Sequence, residues 1–153
     1  MTTKLSETPS IKALYEEDYY LWLQKNAQLI REGKLHELDL VNLLEELDCL
    51  GRKEKRSVYI NLKILLMHLL KYRYQPKKRS NSWRYSIEEH RQRIKEAFED
   101  SPSLKVYLTE NFDKCYLDAA KLAAKETGLA LEAFPASSPF TWTETIDTDY
   151  LPD

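Results

Sequence analysis

Glycine is scarce: three among 153 residues. That excludes a glycine-rich loop cradling phosphate, and no nucleophile-elbow pattern is present either. Two cysteines, Cys49 and Cys115, are too few for a disulfide framework and suit a reducing compartment. Long apolar runs are missing as well. The longest, 64–70, is interrupted by His68 and bounded by Lys63 and Lys71. A membrane helix needs about 20 such residues. The first thirty residues lack a charged start followed by an apolar stretch, so no secretory signal is read there. A cytoplasmic protein without a membrane segment is the expectation. Proline is absent from every helix-like run: Pro9, Pro76, Pro102, Pro135, Pro139 and Pro152 all fall between or beyond them.

What is present is globular in kind, 42% apolar and 31% charged. The length suits one domain over 1–153, with 1–8 flexible. Apolar residues recur at helical spacing from Tyr15 through Trp22 to Ile30, ending at Gly33. Asp39 then caps a stripe of Leu40, Leu43, Leu44, Leu47 and Leu50. Gly51 is expected to kink or break the helix beyond it. The stretch 62–72 is apolar nearly all round, the pattern of a central, surrounded helix. Ser82 or Ser86 (the latter at capping-box spacing from Glu89), Ser101 with Pro102, and Thr141 with Glu144 carry helix-start signals, and Gly128 a stop. The fold class is therefore all-α: a bundle of about five helices with an ordered, proline-punctuated C-terminal tail.

Charge is segregated. Residues 1–50 hold ten acids and five bases, 51–95 three acids and fourteen bases, and 96–153 twelve acids and four bases. Such blocks either neutralise one another across helix contacts, the larger effect expected, or leave a basic face for an anionic partner. The sharpest stretch is the connector 71–85. It holds Lys71, Arg73, Lys77, Lys78, Arg79 and Arg84 without one acid, interleaved with Tyr72, Tyr74, Trp83 and Tyr85. Cations neutralise phosphates and aromatic faces stack on bases, so a nucleic acid or an acidic protein is the partner class it admits. The alternative is a solvated turn anchored by its aromatics.

The blocks LYEEDYYLWL (14–23), ELDLVNLLEEL (37–47), LLMHLLKYRYQP (65–76), RSNSWRYSI (79–87), SPSL (101–104), ETGL (126–129) and DYLP (149–152) follow in order. Together they resemble a bacterial family catalogued as domain of unknown function twenty-nine. The resemblance covers nearly the whole chain and implies a helical fold. It brings no activity, cofactor or catalytic residue. The chain departs from the family pattern at His90, where a glutamine is expected.

Three further constellations bear on chemistry. Glu45 and Glu46 with His68 and Lys71 suggest carboxylates and an imidazole inside a bundle. Metal-binding bundles repeat Glu-x-x-His on two helices, a pair missing here, so no metal is expected. A buried polar cluster of Glu46, His68 and Lys71 that orients helices is expected instead. Arg84 and His90, separated by five residues, fit the spacing of small all-α ribonucleases, with histidine as acid or base and arginine stabilising phosphorane charge. Cys49 and Cys115 read as inert thiols. No cofactor motif occurs and none is expected. The chain reads first as a non-catalytic interaction module and second as a small ribonuclease or nucleotide-acting enzyme. A homodimer is neither required nor excluded.

Overall fold

The computed structural model describes residues 8–153, so the flexibility expected of 1–8 falls, Thr8 aside, outside the described residues. These residues form seven α-helices and three short 3-10 turns, with no strand among them. The chain divides into two compact units, 1–52 and 53–153.

In the first unit the long apolar run splits in two. Helix α1 (Ile11–Glu17) starts at Ser10, whose hydroxyl accepts from the Ala13 amide. Asp18 ends it and begins α2 (Tyr19–Arg31): its own amide donates to the Leu14 carbonyl while its carboxylate accepts from the Leu21 amide. Gly33 follows α2 with φ +72, the left-handed conformation a side chain resists. Helix α3 (Leu40–Tyr74) then begins behind Asp39. What joins α2 to the start of α3 is polar. Trp22 Nε1 donates to Asp39 Oδ2 at 3.0 Å, Asn26 Oδ1 accepts from the Asp39 amide, and Asn26 Nδ2 returns to the Trp22 carbonyl. Asn42 adds a bond to the same carboxylate at 2.7 Å. Buried Asp39 would be costly alone, and these donors satisfy it. Burial pushes its carboxyl up, but the hydrogen bonds from Asn42 and Trp22 outweigh that and hold it below 3.8.

Helix α3 corrects one expectation. It runs 35 residues without a break, and Gly51 lies inside it with no positive φ. A glycine at a helical φ lowers propensity without ending the helix when its neighbours supply the hydrogen bonds. The leucine stripe behind Asp39 is left largely in water. Only Leu43 is half-buried; Leu40, Val41, Leu44, Leu47 and Leu50 are 56–70% exposed.

The second unit has the dry core. Val58, Leu62, Leu65, Leu66, Leu69 and Leu70 of α3 are at most 2% exposed, and Met67 and Tyr72 are buried with them. Each such leucine contributes about 1.5–3 kcal/mol by leaving water. They pack with Ile87 and Ile94 of α4 (Asn81–Asp100), Leu104 and Leu108 of α5 (Ser103–Glu110), and Cys115, Tyr116, Ala119 and Ala123 of α6 (Phe112–Thr127). So 62–72 is the surrounded helix its composition predicts. Asn111 divides α5 from α6, and Gly128, φ +74, ends α6. Helix α7 (Trp142–Ile146) begins with a reciprocal capping box between Thr141 and Glu144.

Arg91 holds the chain's last stretch. Buried on α4, its guanidinium donates to the carbonyls of Thr145 at 2.8 Å, Tyr150 at 2.8 Å and Glu144 at 3.2 Å. Planar forked donors suit three converging carbonyls better than an ammonium would.

Candidate functional site

The connector between α3 and α4 is built around Pro76, which opens a 3-10 turn, Pro76–Lys78. Ser80 then caps α4 through the Trp83 amide. This geometry sorts the six cations into two groups. Lys71 and Arg79 are structural. Lys71 is buried, its Nζ 3.6 Å from Glu126 and 4.7 Å from the centre of the Trp83 ring. Arg79 lies over the Tyr72 ring at 4.3 Å, donating to the Tyr72 carbonyl at 2.7 Å and the Pro152 carbonyl at 3.4 Å. Arg73, Lys77, Lys78 and Arg84 are exposed. Arg73 sits 5.9 Å from the Tyr74 ring centre, and its charge is one cause holding the Glu144 carboxyl low, behind the Thr141 hydrogen bonds. Arg84 Nε reaches the Tyr72 hydroxyl at 3.3 Å.

No carboxylate of the described residues stands within ion-pair distance of these four exposed cations. Among the described residues, the ion pairs between the charge blocks, expected to dominate, are Arg52–Glu45 and Lys71–Glu126. Exposed side chains gain little from pairing, so their desolvation and entropy costs leave them in water. The aromatics mostly anchor: Tyr72 is buried, Trp83 is half-buried, and Tyr74 packs edge-on against Phe134. Only Tyr85 of the four stays exposed.

Beside Lys71 stands a pair that sequence reading missed. His68 of α3 and His90 of α4 stack, ring centres 6.4 Å apart and planes 22° apart. His68 Nδ1 lies 2.9 Å from the Ile64 carbonyl and His90 Nδ1 2.7 Å from the Ser86 carbonyl. A carbonyl only accepts, so both rings carry Nδ1–H and, when neutral, keep their lone pair on Nε2. Desolvation lowers the pKa of His68, and the charges of Lys71 and His90 lower it further. Burial thus favours the uncharged form of the His68 imidazole.

The two sequence-predicted constellations are not brought together as expected. Glu46 belongs to the first unit and His68 with Lys71 to the second. Its oxygens instead accept from Tyr15 at 2.6 Å and Tyr19 at 2.7 Å, and that bond is the main cause raising the Tyr15 hydroxyl to about 12. Arg84 and His90 share α4, but six positions turn about 240° around a helix axis. Arg84 faces solvent and Tyr72, whereas His90 is buried against His68. No group of three or more His, Cys, Asp or Glu side chains is placed to hold a metal among the described residues. No described helix is long and apolar enough to cross a membrane. Cys115 is buried and its thiol pushed up to about 12 by desolvation, the state of an unreactive thiol.

The sequence matches a family model over residues 14–151, described as a domain of unknown function, DUF29. The chain belongs to that family. No curated protein and no solved structure matches it. Membership in DUF29 therefore brings the fold unit and no reaction. In this DUF29 chain the features on which a function can rest are four exposed cations with no ion pair among the described residues, an imidazole pair, and Arg91 holding the stretch 144–150.

Proposed function

We propose that this chain is a non-catalytic helical interaction module that contacts an anionic partner through the exposed cations of the 71–85 connector. The observation that carries the reading is that Arg73, Lys77, Lys78 and Arg84 are exposed, with no carboxylate of the described residues at ion-pair distance. A short 3-10 turn and two helix ends hold them, so binding orders little backbone. The partner class is a phosphate-bearing single strand, because neutralised phosphates release counterions and exposed Tyr85 offers one face for a base. Arg79, first grouped with these cations, supports the turn through Tyr72 and Pro152.

The test is a titration of single-stranded RNA, single-stranded DNA and an acidic protein at two salt concentrations. Lys77→Ala, Lys78→Ala and Arg84→Ala combined should weaken binding and flatten the slope of log affinity against log salt by about 2, at about 0.7 per lost phosphate contact. Helicity should be unchanged. Absence of binding at low salt overturns the proposal, and preference for the acidic protein overturns its partner class.

A second reading, a small ribonuclease or nucleotide-acting enzyme, draws on the stacked pair rather than on Arg84 with His90. Neutral His68 would take a proton, and Lys71 would supply positive charge beside it. Cleavage of labelled RNA, abolished by His68→Ala and by His90→Ala separately, would favour this reading over the first.

A further inference from the structure

The stretch 144–152 reaches back to the connector, and Arg79 is where the two meet. Arg91 seats the stretch on α4 through the carbonyls of Glu144, Thr145 and Tyr150. Phe140 packs edge-on against the Tyr150 ring, and Pro152 is buried. Between those anchors Asp147, Thr148 and Asp149 are exposed. The last link is the Pro152 carbonyl, which accepts from Arg79 Nη2. Charges bear on the same place. Burial raises the Tyr150 hydroxyl most, with Glu144 next, while Arg73 opposes that shift and Asp153 adds to it. A cation of the connector and an acid of the stretch thus act on one ring.

The two hydrogen bonds of Arg79 differ in kind. Nε donates to the Tyr72 carbonyl at 2.7 Å, and the guanidinium lies 4.3 Å from the centre of the Tyr72 ring, both within the connector. Nη2 meets the Pro152 carbonyl at 3.4 Å, beyond the roughly 2.7–3.2 Å of an ordinary N–H···O bond. Arg79 therefore keeps its place without Pro152, and only its outer edge changes partner. A phosphate oxygen bonds a guanidinium about twice as strongly as a neutral carbonyl does. Asp147, Asp149 and Asp153 of the same stretch form no ion pair among the described residues, and they repel a polyanion arriving there. We infer that residues 147–153 form an autoinhibitory strap, whose Pro152 carbonyl covers Arg79 and whose release adds Arg79 to the phosphate contacts of the connector. The inference rests on the connector reading above and supplies it with a fifth cation and a control. Seating of the strap and phosphate at Arg79 exclude each other, so each weakens the other by the same factor.

Deletion of Pro152 and Asp153 tests this, with a single-stranded polyuridylate oligonucleotide as probe and circular dichroism as the check on folding. The deletion should tighten binding and steepen the slope of log affinity against log salt by about 0.7, one phosphate contact. In an Arg79→Ala background the same deletion should leave the slope where Arg79→Ala alone puts it. Asp153→Asn removes a charge but keeps the carbonyl, and should leave the slope of the full chain unchanged. Hydrogen exchange needs no deletion. The Tyr150 amide donates to the Asp147 carbonyl at 3.2 Å while the strap is seated, so saturating probe should speed its exchange in the full chain. A full chain that binds with a slope the deletion does not steepen, or with Tyr150 exchange unchanged, overturns the strap and leaves the connector reading standing. A steepening that persists without Arg79, or that Asp153→Asn reproduces, overturns the strap as well. Binding by the deletion variant alone keeps the strap and sinks the connector reading for the seated chain. Binding by neither overturns both.

Discussion

Leu44 and Leu69 belong to the same helix, sit in runs of similar leucine content, and meet opposite surroundings. Around Leu69 the helix is enclosed by α4, α5 and α6, and the side chain is fully buried. Around Leu44 the unit is held by two carboxylates, an indole, two amides and two phenols, and the leucines face water. One half is stabilised by area removed from water. The other is fixed by hydrogen bonds whose individual net worth is about 1 kcal/mol and whose geometry is specific. A periodic apolar stripe thus reports that a surface is to be covered, and not by what.

The largest expected effect sharpens that contrast directly. Leu69→Ala should lower unfolding stability by about 2–5 kcal/mol, the range for a buried leucine that leaves a cavity. Leu47→Ala, measured in dilute protein, should change it by no more than about 0.5 kcal/mol. Equal losses in urea denaturation would break the comparison. Next comes the polar half. Asp39→Ala strands Trp22 Nε1 and the donors of Asn42, and should cost about 1–3 kcal/mol. Because the Asp39 carboxyl is held below 3.8, its contribution is present above the ordinary carboxyl pKa and is lost as pH falls through the lowered value. The stability gap between wild type and Asp39→Asn should therefore narrow in acid. A gap that widens as pH falls would contradict the assignment.

Smaller still, the two glycines should respond with opposite signs. Gly128→Ala places a Cβ at φ +74 and should destabilise by about 1 kcal/mol. Gly51→Ala lies inside α3 with open space around it and should raise helix stability by up to about 1 kcal/mol. Thermal denaturation of the two variants reads both signs.

Much of the helical layout was legible. Stops at Gly33 and Gly128 and the surrounded stretch 62–72 follow from backbone preference and composition, which are local. The caps at Ser10 and Asp18 depend on the Ala13 and Leu21 amides being in place. The continuity of α3 through Gly51 was not legible, because a glycine's cost is small against the hydrogen bonds of the surrounding turns. The candidate site was half legible. A run of cations is visible in sequence, but which of them prop the turn depends on Tyr72, Glu126 and Pro152 arriving from elsewhere. His68 and His90 stack only because α3 and α4 meet, and Glu46 is taken by two tyrosines that helical spacing alone does not assign to it. Arg91 gives no local signal at all, since its partners are backbone carbonyls more than fifty residues away.

The claim at the centre of this comparison is that α3 changes surroundings along its length, from leucines in water to leucines enclosed. Hydroxyl-radical footprinting, read residue by residue along α3 in dilute protein, tests it most directly. Leu40, Leu44 and Leu47 should be modified readily while Leu62, Leu65 and Leu69 stay protected. Uniform protection from Leu40 to Leu69 in the monomer would contradict the account.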